Sequence, residues 1–62
     1  MTQSDTYYKI KRVLERRNRN GKTEYRVQFS GEPAQNSQWI PFEQLNPHTQ
    51  RFVRSNPPPF ID

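Results

Sequence analysis

The chain has no cysteine, a single histidine, one methionine, one tryptophan and only two glycines in 62 residues. Without cysteine, neither a disulfide nor a thiolate metal site can brace the fold, so packing and hydrogen bonding must hold it alone. That composition fits a reducing compartment. The one histidine, His48, has neither cysteine nor a second histidine to work with and reads as a surface residue of a first helical turn. Asp5, Glu15, Glu24, Glu32, Glu43 and Asp62 show no spacing that pairs two carboxylates, and no Gly-rich phosphate loop or nucleophile elbow is present. We therefore expect no enzyme, no metal and no cofactor. No apolar run approaches the ~18–20 residues of a membrane span, and the N-terminus is polar, unlike a secretory signal. A membrane partner is not expected.

Apolar residues are scarce too. They make up 29% of the chain, and a domain of this length buries only roughly 60% of the surface its unfolded chain exposes. The core must be thin, and residues 7–53 must supply it. Charge is lopsided: ten Lys and Arg against six Asp and Glu give +4. Lys9, Lys11, Arg12, Arg16, Arg17, Arg19 and Lys22 crowd the first third, with Arg51 and Arg54 as a second group. Such a patch attracts phosphate backbones or acidic surfaces; a solubilising face accounts for it equally well.

The residues that are present read as strands followed by a helix. Residues 1–6 are polar and unpatterned, a flexible N-terminal segment. Residues 7–17, YYKIKRVLERR, carry Tyr8, Ile10 and Leu14 on one parity and Tyr7 and Val13 on the other. In a small curled sheet that pattern predicts a strand that changes face at a bulge. Asn20-Gly21 predicts a tight hairpin, because both residues tolerate positive φ. From Lys22 to Phe29 alternation is clean, with Thr23, Tyr25, Val27 and Phe29 on one face and Glu24, Arg26 and Gln28 on the other. Gln38-Trp39-Ile40 predicts a short third strand stopped by Pro41, which cannot donate to a ladder. Asn46-Pro47 signals a helix start, with Asn as N-cap and Pro at the first position. The prolines 57–59 end that helix near Ser55. Tyr25, Trp39 and Phe52 are expected in the core, and Phe52 and Val53, with Leu45 ahead of them, are expected to anchor the helix on the sheet. Residues 7–55 form the domain and 56–62 a Pro-rich tail or linker. The expected class is α+β: a three-stranded curled antiparallel sheet, or small barrel, with one C-terminal helix packed on it.

Three sets of residues carry a resemblance. They are Tyr8-x-Ile10-x-x-Val13-Leu14-x-Arg16-Arg17, Gly21-Lys22-x-x-Tyr25-x-Val27-x-Phe29-x-Gly31, and Asn36-x-x-Trp39-x-Pro41-x-x-x-Leu45. From Tyr8 to Phe52 the chain resembles a chromodomain, without a gap as far as Leu45. The resemblance implies recognition of an extended peptide, usually a histone tail carrying a methylated lysine, inserted as a strand beside the N-terminal segment. Main-chain bonds then give affinity and pockets give specificity. It further implies a cage of three aromatics around the methylammonium. Tyr8 matches the first, Phe29 stands where Trp is usual, and Glu32 stands where the third aromatic is usual. The cage is incomplete. Asn36 replaces a common acidic residue and Ile40 the Glu of the common Trp-Glu-Pro; Asn36 and Gln44 complete the candidate peptide-binding set.

Two functions of different classes are open on these residues. One is a chromatin-targeting module in the nucleus, monomeric as an isolated domain, that reads a histone tail or another extended peptide through Tyr8, Phe29, Glu32, Asn36 and Gln44. The other is a small barrel binding DNA or RNA through Arg12, Arg16, Arg17, Arg19 and Lys22. Chromodomains with degraded cages occur in retroelement integrases, where a targeting module of this second kind would fit. The discriminating feature is whether the candidate cage residues meet in one concavity or the arginines line one face.

Overall fold

The computed structural model describes residues 9–61. The flexible segment expected at 1–6, Tyr7, the candidate cage residue Tyr8 and Asp62 lie outside the described residues. The described chain runs β1 (Ile10–Arg19), β2 (Lys22–Phe29), β3 (Gln38–Pro41) and α1 (Pro47–Ser55). Short 3₁₀ turns occupy Ala34–Asn36 and Phe42–Gln44. The three strands form one antiparallel sheet in the order β1-β2-β3. This is the expected α+β arrangement.

Local chemistry accounts for each boundary. Asn20 (φ 54°) and Gly21 (φ 79°) both take positive φ between the paired Arg19 and Lys22. That is the pattern of a type I′ turn, whose twist matches the strands it joins. Register shifts between Ile10 and Arg12 and between Val13 and Glu15 break the β1–β2 ladder. These are the bulges that the mixed parity of the first strand predicts. At the helix start, the Asn46 side chain accepts from the Thr49 N–H at 2.8 Å, with Pro47 at the first position. Asn56 ends the helix, its backbone N–H donating to the Phe52 carbonyl.

The core is small, as the composition requires. Tyr25 and Val27 of β2, Leu45 and Val53 are buried, and Ile10, Val13, Phe29, Ile40 and Phe42 pack against them. Within α1, Thr49 and Val53 are buried four residues apart and so form one stripe facing the core, which Leu45 joins from the extended segment just before the helix. Phe52 is not in that stripe and is 50% exposed, which corrects its assignment to the core and as a helix anchor. One position of helical rotation, about 100°, separates Val53 from Phe52.

Trp39 is corrected as well. It pairs with Arg26 of β2, whereas Ile40 pairs with the buried Tyr25. Directly opposed residues share a face, so Trp39 stands on the side of the sheet away from the core. It is partly buried there beneath the Arg17 guanidinium, 4.1 Å from the ring centroid. The same outer face carries ion pairs from Arg17 to Glu24 (2.8 Å) and from Arg26 to Glu15 (3.1 Å).

Beyond the helix the chain returns to the sheet. The Arg16 N–H donates to the Pro59 carbonyl and the Ile61 N–H donates to the Arg16 carbonyl, both at 2.9 Å. This makes a parallel bridge between Arg16 and Phe60 on the free edge of β1. Pro58 is buried, and the Arg16 guanidinium lies 4.8 Å from the Phe60 ring centroid. The tail read from sequence as lying past the proline breaker is thus strapped to the first strand through residues 59–61.

Candidate peptide-binding groove

The end of β2 and the residues after it build a concavity. Phe29 is the last residue of β2, and its carbonyl accepts from the Glu32 N–H at 3.1 Å. Gly31 stands third in this four-residue turn with φ 87°, a conformation that an L side chain rarely adopts. The turn reverses the chain and brings Glu32 back beside Phe29. The Ser30 N–H donates to the Lys9 carbonyl at 2.8 Å, fixing the entry to β1 against the same turn. Beyond Pro33, the 3₁₀ turn at Ala34–Asn36 carries Asn36 toward Glu32, and Asn36 Nδ2 donates to Glu32 Oε1 at 3.0 Å. From the buried Gln28 below, Nε2 donates to the Glu32 carbonyl at 3.1 Å.

These contacts shape a half-open groove of about 520 Å³ lined by Lys9, Phe29, Ser30, Glu32, Asn36 and Gln38. Its volume falls in the range of small-molecule and side-chain binding sites, roughly 300–1,000 Å³. Gln38 opens β3, which is the edge strand of the sheet. An edge strand keeps unpaired main-chain groups on its outer side, which is what an added peptide strand requires. The wall is mixed in character: one aromatic, one carboxylate, one ammonium-bearing chain, two amides and one hydroxyl.

Three of the five candidate peptide-binding residues, Phe29, Glu32 and Asn36, therefore meet in one concavity. Tyr8 lies outside the described residues. Gln44 closes the 3₁₀ turn after β3, is exposed, and is not among the residues lining this groove. Sequence reasoning missed Lys9, Ser30 and Gln38. The Gly31 turn gave a signal for Ser30, since any chain reversal after Phe29 must pass its neighbours back beside the strand end.

The basic residues are sorted by the register into two sides. Arg12, Arg17, Arg19 and Lys22 pair with or belong to the outer-face parity of β2, whereas Arg16 pairs with the buried Tyr25. Arg17 is bound to Glu24 and Lys22 to Glu43 at 3.2 Å. Arg16 carries a buried Nε with no hydrogen-bond partner and stacks on Phe60. Four of the five thus share the outer face, where Arg17 and Lys22 are taken up in ion pairs; of the five, only Arg12 and Arg19 are exposed without one.

No group of three or more His, Asp or Glu side chains among the described residues is placed to hold a metal ion. No helix among them is long and apolar enough to cross a membrane. The chain matches no family model and no curated protein.

Proposed function

We propose that the chain is a chromodomain-like binding module that takes an extended histone-tail peptide along the Phe29–Glu32–Asn36 groove and so directs its parent protein to chromatin in the nucleus. The observation that carries this reading is convergence. Phe29, Glu32, Asn36 and Gln38 come from β2, a turn, a 3₁₀ turn and β3, yet they line one cavity at the sheet edge. Main-chain pairing along the edge would hold the peptide, and the cavity would take one side chain. The sequence resemblance supports the same placement, with Tyr8 as a further wall. Of the five candidate phosphate-binding residues, Arg16 lies on the other side and Arg17 and Lys22 are held in ion pairs, which favours this reading over phosphate binding, since that calls for a continuous free cationic surface.

The test is binding of the domain to labelled histone-tail peptides, with an acidic control peptide and duplex DNA alongside. The reading expects saturable binding to a histone-tail peptide that is weakened several-fold by Phe29→Ala, with DNA binding absent or lost at moderate salt. Binding of DNA alone, undiminished by Phe29→Ala, would replace the groove with the outer face.

A further inference from the structure

The sheet has a second edge, formed by β1 and lying across β2 from the edge strand β3. Opposed residues in an antiparallel ladder alternate between pairs that exchange main-chain bonds and pairs that do not. Arg19 and Lys22 flank the two-residue turn and exchange bonds, as do Arg17 and Glu24 two places on. Arg16 and Asn18 therefore turn their N–H and C=O groups outward, away from β2. The strap takes those of Arg16, through the Pro59 carbonyl and the Ile61 N–H. Among the described residues, no main-chain bond from beyond the sheet reaches Asn18. The strap thus bridges one residue of a ten-residue strand.

Its side chains are light cover too. Pro58 is buried, but Phe60 and Ile61 are 56% and 42% exposed. Phe60 gives the Arg16 guanidinium a ring face, yet the buried Arg16 Nε has no hydrogen-bond partner among the described residues. Arg17 and Arg26, by contrast, bind the carboxylates of Glu24 and Glu15. A buried N–H without an acceptor is costly, and a carboxylate is the acceptor that suits a guanidinium best.

Charge points to the same group. With Arg17 and Glu15 taken up in those pairs, Lys11, Arg12, Arg16 and Arg19 of β1 have no carboxylate among the described residues. The strap runs parallel to β1, so a segment in its place that continues past the Ile61 position passes Asn18 toward Arg19. Side chains two apart in an extended segment share a face. A carboxylate two residues after an aromatic over Arg16 would therefore meet the same side of β1. The chain's own Phe60-Ile61-Asp62 keeps that order in sequence, with Asp62 outside the described residues.

We infer that the free edge of β1 is a second peptide-binding site, separate from the groove, which takes an acidic extended segment of a partner protein. The segment adds parallel to β1 with an aromatic residue over Arg16, and residues 59–61 occupy its place when it is absent. A second copy of this chain is a poor occupant, because two chains of charge +4 repel. Nucleic acid offers phosphates to the cations but no N–H and C=O ladder to the outward groups of Arg16 and Asn18.

The experiment titrates acetyl-Pro-Pro-Phe-Ile-Glu-Val-Glu-amide into the isotopically labelled chain, with the amide shifts of Arg16, Asn18 and Arg19 as the readout. All three should shift and saturate, and the Ile61 amide should exchange its hydrogen faster as the strap is displaced. Replacing both Glu of the peptide by Gln should weaken binding about three- to tenfold, the span of one or two partly exposed ion pairs. Ile61→Pro takes one hydrogen bond from the strap and should strengthen binding of the acidic peptide about fivefold. Unmoved amides in β2 and β3 show that this variant is folded. Equal binding of the Glu and Gln peptides, equal affinity of chain and variant, shifts confined to Ser30, Glu32 and Asn36, or no shifts in either protein would each overturn the inference. A duplex oligonucleotide shifting Arg16 and Asn18 where the peptide does not would assign the edge to nucleic acid instead.

Discussion

The Arg17 guanidinium lies over the Trp39 ring at 4.1 Å while its Nε donates to Glu24 Oε1 at 2.8 Å. Three strands meet in this contact, since Arg17 belongs to β1, Glu24 to β2 and Trp39 to β3. It closes the sheet on the side where the helix does not, and it explains how a tryptophan can matter to the fold without entering the core.

Trp39→Ala should cost about 2 kcal/mol, from partial burial plus a cation–π contact. Urea unfolding followed by circular dichroism measures it. A loss of ~3–5 kcal/mol, the range for a fully buried ring, would return Trp39 to the core.

The helix offers a paired comparison. Val53 is 2% exposed and Phe52 is 50% exposed. Val53→Ala should therefore destabilise by about 1.5–3 kcal/mol, and Phe52→Ala by less than ~1 kcal/mol despite deleting more atoms. Equal losses in urea melts would contradict the orientation of the helix on the sheet.

How much of this could be read from the sequence depends on the range over which each signal acts. The Asn20-Gly21 turn, the alternation of β2 and the Asn46-Pro47 cap are short-range rules, and the chain obeys them. The bulged β1 was legible from its mixed parity. Trp39 was not, because a strand of three or four residues has too few positions to show which face is buried. The inward face of the helix was not legible, because the buried Thr49 is polar and the exposed Phe52 is large, and size was the misleading cue. In the site, Phe29, Glu32 and Asn36 were legible through the resemblance, whereas Lys9 and Gln38 enter only through pairing of distant segments. The return of residues 59–61 to β1 is likewise long-range, and nothing local to three prolines announces it.

That return can be tested at one atom. Ile61→Pro removes the N–H that donates to the Arg16 carbonyl. It should destabilise by about 1 kcal/mol. The Arg16 amide, protected from hydrogen exchange in the unaltered chain, should become faster to exchange. No protection at Arg16 or Ile61 before the substitution would mean that the strap is not held in solution.

A pH effect follows from Glu43. A backbone hydrogen bond at its own position, and then the Lys22 ammonium, hold its carboxyl below the usual carboxylate range. A value lowered by folding contributes stability above the unfolded-state value and loses it as pH falls through the folded one. Lys22→Gln should raise the Glu43 midpoint, yet leave it below the usual range because the backbone bond, the larger cause, remains. Side-chain carboxyl shifts followed by NMR from neutral to acid pH measure this, and an unmoved midpoint would show that Lys22 has no hold on Glu43.

The central claim is that an extended peptide binds in the groove at the end of β2. Amide shift mapping with a saturating histone-tail peptide tests it most directly. The account predicts that Lys9, Phe29, Ser30, Glu32, Asn36 and Gln38 shift together and saturate at one affinity, while Arg17, Arg19 and Lys22 stay in place. Saturable shifts confined to Arg12, Arg17, Arg19 and Trp39, with the groove silent, would contradict it.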